Sequence, residues 1–271
     1  MASGKIGIIA GQGELPELLS SALEEQNRDF FILAIREDTS PELVKERTHQ
    51  WIEMAEIART IDIFREHQVE EILMAGKLSR PPIKALKPPA LAARILKRIG
   101  AAFFKGDDAL FKAIIGIFEE EGFRIIGADE VLKELLTPKG VLTQTIPTPA
   151  QEEEITLAAE NAKKLGAADI GQAAITFSGE VLAEETIDGT DALIATAIER
   201  KGKTQGGILA KMKKPKQERR VDLPAIGPDT IEALAAGKFD GVVLEAEHSL
   251  IIQREKVIAL ADKHGLFVIG L

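Results

Sequence analysis

The chain has 271 residues and no cysteine, which excludes disulfides, thiolate metal sites and a cysteine nucleophile. Apolar residues make up 45% of it, enough for two cores, yet no run approaches the roughly 20 apolar residues that cross a bilayer. A net charge of −9 argues against bulk nucleic-acid binding. The absence of cysteine fits a reducing cytosol, and a cytoplasmic protein is expected. Lys5–Ala10 is too short and glycine-rich for a signal peptide and reads as a first strand. It ends in Gly11-Gln12-Gly13, where Glu14-Leu15-Pro16 delays a helix expected over Glu17–Glu25. Phe30–Ile35 reads as a strand, Ala55–His67 as a helix, Glu71–Ala75 as a buried strand ending at Gly76, and Asp108–Glu121 as a helix leading to Phe123–Gly127. Residues 137–150 carry Thr137-Pro138-Lys139-Gly140 and Ile146-Pro147-Thr148-Pro149, and read as a linker between domains at 1–136 and 151–271.

In the second half, Gln151–Leu165 is an expected helix, and Ala173–Phe177 with Glu180–Glu185 an expected hairpin on a Ser178-Gly179 turn. A helix over Ala192–Glu199, a strand over Ile208–Met212, a helix over Thr230–Ala236, a strand over Gly241–Leu244, a helix over Arg254–His264 and a strand over Leu266–Gly270 follow. Strands alternating with helices make both halves α/β, the first with a mostly parallel sheet. Ligands of such sheets bind at the carboxyl ends of the strands, where Gly11–Gly13, Gly76-Lys77 and Gly127 fall.

Four features could carry chemistry. A strand, glycine turn and helix make a phosphate or nucleotide cradle, but the third glycine of a dinucleotide fingerprint is missing, and a tight turn is the plain alternative. No acidic residue clearly ends the second strand to hold a ribose. Between Ile72 and Gly106 there are eight basic residues and no acidic one, and Ala90–Phe104 can form a cationic amphipathic helix suited to an anionic membrane surface or simply packed on the core. Asp107, Asp108, Asp169, Asp188, Asp191 and Asp222 stand beside glycine or proline, where Mg²⁺ could find the few carboxylates it takes; Asp108 and Asp191 could equally be helix N-caps. Last, Lys211, Lys213, Lys214, Lys216, Arg219 and Arg220 run into Asp222, a pairing of cations and carboxylate that suits phosphoryl chemistry. The four histidines, at 49, 67, 248 and 264, lack metal-ligand spacing; His67 and His264 read as helix-end residues.

Ile9-Ala10-Gly11-Gln12-Gly13-Glu14-Leu15-Pro16, Ala75-Gly76-Lys77-Leu78-Ser79-Arg80-Pro81, Lys105–Leu110, Asp169-Ile170-Gly171-Gln172, Asp188-Gly189-Thr190-Asp191-Ala192 and Arg220-Val221-Asp222-Leu223-Pro224 occur in that order. Together they resemble the LpxI family of UDP-2,3-diacylglucosamine pyrophosphatases, over about residues 5–270. The resemblance implies a Rossmann-like parallel-sheet domain, a second α/β domain of the family's own type, and a ligand cleft between them. It implies a lipid-linked nucleotide sugar as substrate, split to UMP and 2,3-diacylglucosamine 1-phosphate with Mg²⁺, or Mn²⁺ in its place. Asp222 would be essential, with Asp191 joining it at the metal and Lys211 taking part in catalysis. Gly11, Gln12, Gly13, Glu14, Gly76, Lys77, Gly127, Gln172, Thr190, Lys214 and Arg220 would bind substrate. Contact with the inner face of the inner membrane is expected, and a homodimer is among the open assemblies. Departures are Gln12 for the middle glycine of the first turn, Asp188 for a glutamate, and Leu244-Glu245-Ala246-Glu247 where the family has Gly-Glu-Ala-Gly. Another nucleotide-sugar enzyme on the same scaffold and a non-catalytic UDP-lipid binder are the rival readings.

Overall fold

A computed structural model describes residues 4–79 and 107–271. The cationic helix expected over Ala90–Phe104 lies outside the described residues. The chain divides into two compact units, Met1–Lys133 with Glu218–Val221, and Glu134–Gln217 with Asp222–Leu271.

Unit 1 is an open parallel sheet. Its strands are β1 (Lys5–Ala10), β2 (Phe30–Ile35), β3 (His49–Ile52), β4 (Val69–Ala75) and β5 (Arg124–Ile126), in the order β3-β2-β1-β4-β5 with every pair parallel. The continuous apolar runs of β1 and β2 suit strands covered on both faces, and all but the first residue of each is buried. The covering helices are α1 (Leu15–Glu25), α2 (Pro41–Val44), α3 (Thr60–Glu66), α4 (Asp107–Glu120) and α5 (Ala128–Val131). Phe31, Phe64, Phe118 and Phe123 form the aromatic part of the core, meeting edge to face. From β1 the chain runs outward to β2 on one side, while β4 and β5 lie on the other. The order therefore switches direction between β1 and β4, and that is where open α/β sheets take ligands.

Some local expectations are corrected here. Glu14-Leu15-Pro16 starts α1 rather than delaying it, because proline in a first turn gives up an N–H that has no helical partner anyway. The helix expected over Ala55–His67 is a 3₁₀ segment, Met54–Arg59, passing into α3. His67 caps α3 and stacks on Phe31 at 3.9 Å. Strand β3 had no sequence signal: His49-Gln50-Trp51-Ile52 is short and half polar, as an edge strand can be.

Unit 2 is a mixed sheet of order β6-β13-β11-β9-β7-β8, from β6 (Gly140–Val141), β7 (Ala173–Phe177), β8 (Glu180–Glu184), β9 (Ile208–Lys211), β11 (Gly241–Leu244) and β13 (Phe267–Gly270). A small parallel pair, β10 (Ala225–Ile226) and β12 (Leu250–Ile251), stands beside it. Its helices are α6 (Pro149–Ala167), α7 (Gly189–Lys201), α8 (Pro228–Ala236) and α9 (Arg254–His264). The hairpin β7–β8 forms as expected, with Ser178 and Gly179 both at positive φ, 54° and 78°, the mirror-image turn that matches strand twist. The stretch 137–150, read from sequence as a linker, supplies the edge strand β6, which pairs antiparallel with β13, and the Thr148 cap of α6. At the end of α7, Lys201 is folded inward: its Nζ donates to the carbonyls of Gly237, at 2.7 Å, and Thr204, and lies 4.8 Å from the Phe239 ring centre. Burial pushes its pKa below the ordinary lysine value, with Asp240 pulling the other way.

Candidate functional site

In unit 1, β1 and β4 continue past their last residues and zip together. Gly11 N donates to Ala75 O at 2.8 Å, Gln12 N to Lys77 O at 2.8 Å, and Lys77 N to Gln12 O at 3.1 Å. A Cβ on Gly11 would stand 2.5 Å from Lys77 O, and one on Gly76 2.4 Å from Gln12 O. Glycine at 11 and 76 is thus demanded by the close approach of two backbones. Gly13 differs: its φ is +93° and nothing lies within 4 Å of where its Cβ would be, so its backbone borders open space. Gln12, Gly13, Glu14 and Lys77 are all exposed there.

Asp38, just past β2, sits beneath this turn. Its Oδ1 accepts from Gln12 Nε2 and from Ser79 Oγ, both at 2.6 Å, and its Oδ2 from Ser79 N at 2.8 Å. Burial would raise its pKa, but these hydrogen bonds together outweigh burial and hold the carboxyl below its usual range. An acidic residue therefore does follow the second strand, contrary to the sequence reading. Its oxygens are engaged by Gln12 and Ser79, so it fastens the turn.

Gly127, Arg219 and Arg220 also belong to unit 1. A Cβ on Gly127 would meet Asp129 Oδ1 at 2.5 Å, and Arg219 donates to Asp129 Oδ2 at 2.9 Å. Arg220 is gripped by Glu218 through two bonds of 2.9 and 3.0 Å and by Glu119 at 2.6 Å. The cation that the sequence offered to phosphate is thus paired with two carboxylates.

In unit 2 one end of the sheet collects the polar side chains. β9 and β11 run parallel and end there at Lys211 and Leu244, while β7 begins there, Ala173 pairing with Lys211, and β8 ends there before Glu185. Lys211 is only 6% exposed, and its Nζ donates to Thr190 Oγ1 at 2.8 Å and Ala225 O at 3.0 Å. Burial pushes its pKa down, and Glu185, Asp191 and Asp222 pull it back up, though not fully. Thr190 Oγ1 donates to Glu185 Oε1 at 2.7 Å, and Glu185 Oε2 accepts from Gln172 N at 2.8 Å. Gln217, also buried, donates through its Nε2 to Asp222 Oδ2 at 2.7 Å and to Gln172 Oε1 at 3.0 Å, and accepts from Lys214 N at 3.0 Å.

Of the residues expected in this half, Lys211, Thr190, Gln172 and Asp222 fall within one network, and Asp191 stands near enough to act on Lys211. Asp191 is not the N-cap of α7, a place taken by Asp188. Lys214 pairs with Asp169 at 2.8 Å. Glu245 Oε2 accepts from Lys213 N at 2.9 Å and so shapes the loop after β9. Sequence reasoning missed the roles of Glu185, Gln217, Asp38 and Ser79. Each is a buried or bridging partner whose meaning comes only from a neighbour distant in sequence. Among the described residues, no group of three His, Cys, Asp or Glu is placed to hold a metal ion unaided.

A parallel five-stranded unit with a glycine turn at its switch point, and a mixed unit whose sheet end buries a lysine that feels three carboxylates, define a two-unit α/β protein. Residues 5–135 match the model of the LpxI N-terminal domain, and residues 138–269 that of the LpxI C-terminal domain. The chain belongs to the LpxI family. It is 39% identical over 273 residues to the UDP-2,3-diacylglucosamine pyrophosphatase LpxI of Caulobacter vibrioides, a likeness covering 98% of this chain and 97% of that protein. Among solved structures, the biotin carboxylase domain of Hydrogenobacter thermophilus 2-oxoglutarate carboxylase is 16% identical with a TM-score of 0.28, over 66% of this chain and 36% of that one.

Proposed function

We propose that this chain hydrolyses the pyrophosphate of UDP-2,3-diacylglucosamine, releasing UMP and 2,3-diacylglucosamine 1-phosphate in lipid A biosynthesis, with water attacking the α-phosphorus. The Caulobacter relative carries this activity in its name and aligns along nearly the whole chain. The observation that supports it in this molecule is the buried Lys211 at one sheet end with Asp222 in the same hydrogen-bonded network. Lys211 would meet a phosphate oxygen and offset charge that grows in the transition state. Asp222, oriented by Gln217, would hold the attacking water or a cation. Thr190 and Gln172 would contact the substrate beside them.

A divalent cation fits this donor set. Three carboxylates act on one ammonium, so the site carries surplus negative charge before a doubly charged diphosphate arrives. Mg²⁺ takes one or two carboxylates and completes its shell with water and phosphate oxygens; Asp222 and Asp191 are the residues that would hold it. When bound, such an ion supplies Lewis-acid polarisation of the phosphoryl group.

The test is UMP release from the lipid nucleotide, with Mg²⁺ and with a chelator. Asp222→Ala should lower turnover by on the order of a thousandfold or more while still binding substrate. Undiminished turnover in that variant, or a wild type indifferent to chelation, would remove the assigned roles. Among the described residues no helix is long and apolar enough to cross a membrane. The substrate's acyl chains reside in a bilayer, so this reading includes peripheral contact with the inner membrane's cytoplasmic face. Sedimentation with anionic vesicles at low salt should retain the protein; a protein that stays in the supernatant would end that part of the reading.

A further inference from the structure

We infer that Glu185 is a positioning residue for hydrolysis, which couples the phosphate-facing lysine to the aspartate of the same site. This rests on the hydrolytic reading above. Glu185 ends the β8 edge of the sheet, and its carboxylate is buried, 6% exposed. It has no cation directly on it among the bonds it makes: Oε1 accepts from Thr190 Oγ1 at 2.7 Å and Oε2 from Gln172 N at 2.8 Å.

Each bond fixes one arm of the site. A threonine hydroxyl has one proton, and here Glu185 takes it. Thr190 Oγ1 must therefore present a lone pair to Lys211, whose Nζ donates to it at 2.8 Å. With Ala225 O as its second acceptor, the ammonium has two of its three N–H bonds directed by the protein, and the direction of the third follows. A buried N–H aimed this way is a ready donor to an anionic oxygen. The other arm runs through backbone: Glu185 holds Gln172 N, Gln172 Oε1 accepts from Gln217 Nε2, and the same Nε2 donates to Asp222 Oδ2. Gly171 permits the approach, since a Cβ there would come within 2.7 Å of Glu185 O. One carboxylate thus sets the spacing between the group that meets phosphate and the group that activates water or cation.

An amide in place of the carboxylate holds Thr190 differently. Its oxygen can still accept from Gln172 N, but its NH₂ then donates to Thr190 Oγ1, so the hydroxyl proton is no longer taken up by residue 185 and the negative charge beside Lys211 is lost. Glu185→Gln keeps the volume, so the fold should survive while the direction and charge balance of the lysine arm change. The expected result is a fall in kcat of roughly tenfold to a hundredfold with KM changed by less than about threefold, and a melting temperature within a few degrees of wild type. A structural role alone would lower the melting temperature and leave the kcat of the folded fraction intact. The double variant with Thr190→Val should be no slower than Thr190→Val by more than about twofold, because the lysine arm is already cut. If Glu185→Gln does not fold, the pair at Thr190 decides: Thr190→Ser, which retains the hydroxyl, should keep most activity, and Thr190→Val should lose it. Wild-type turnover in Glu185→Gln, or equal loss in Thr190→Ser and Thr190→Val, overturns the inference alone. No UMP release by the wild-type protein in the same assay overturns it together with the hydrolytic reading.

Discussion

Gln217 shows what a single buried amide can govern. Its Oε1 accepts from Lys214 N, which fixes the orientation of the amide, and its two N–H groups go to Gln172 and Asp222. Every polar bond it makes holds a loop of the candidate site. Gln217→Ala should therefore lower kcat on the order of tenfold to a hundredfold by loosening Asp222, and destabilise the fold by about 1–3 kcal/mol through the orphaned Lys214 N–H. Turnover corrected for folded fraction, beside a urea titration, separates the two effects. An unchanged kcat would mean that Asp222 is held by other contacts. At this scale the sequence was half legible. Thr190, Gln172 and Asp222 stood out because they lie in motifs close to glycine or proline, and Lys211 because it opens the basic run leading to Asp222. Gln217 and Glu185 did not, because a buried partner is defined by the residue it faces, and that pairing comes from sheet order.

At the level of elements, periodicity and turn chemistry placed most strands and helices to within a few residues, and β2, β11 and α9 at their observed ends. What escaped were pieces made by tertiary context: β3 at an edge, the two-residue β6, and the parallel pair β10–β12. Two residues of strand carry no period to read. At the junction of β1 and β4, read from sequence as a strand, glycine turn and helix, Gly11 and Gly76 also serve a backbone contact that no local pattern announces. Gly76 has φ +85° and Gln12 O stands 2.4 Å from where a Cβ would be. Gly76→Ala should then cost about 1–3 kcal/mol and disturb the Gln12 turn, seen as a lower denaturation midpoint with a raised KM. Gly13→Ala, strained by φ but without a clash, should be milder. Equal effects at the two positions would contradict this account.

Across the whole molecule, the ionisable groups differ between the units. In unit 1 hydrogen bonds from Arg47 hold Glu17 and Glu24 below the ordinary glutamate value, and Asp38 is held low against its burial by Ser79 and Gln12. A carboxylate with a lowered folded pKa stabilises the fold above its unfolded value, here 4.5 for glutamate and 3.8 for aspartate, and that contribution is lost as pH falls through the lowered value. In unit 2 burial raises Glu154, so acidification towards 4.5 favours the folded form there. Acid unfolding should therefore begin in unit 1. Trp51, the chain's one tryptophan, lies on β3 and reports it. Its fluorescence should change at a higher pH than loss of hydrogen-exchange protection in β9 and β11; coincident transitions would refute the asymmetry. The α/β class was readable from alternation of elements, while this imbalance was not, since it depends on which carboxylates find partners.

The inward-folded Lys201 has a practical consequence. An amine clasped by two carbonyls and roofed by aromatic rings is shielded from acylating reagents as long as unit 2 stays intact. Among the described residues every other lysine except the buried Lys211 stands at least partly in solvent and would label at once. The late appearance of a tag on this one position would serve as a built-in clock for opening of the second unit, legible by peptide mass without any added probe.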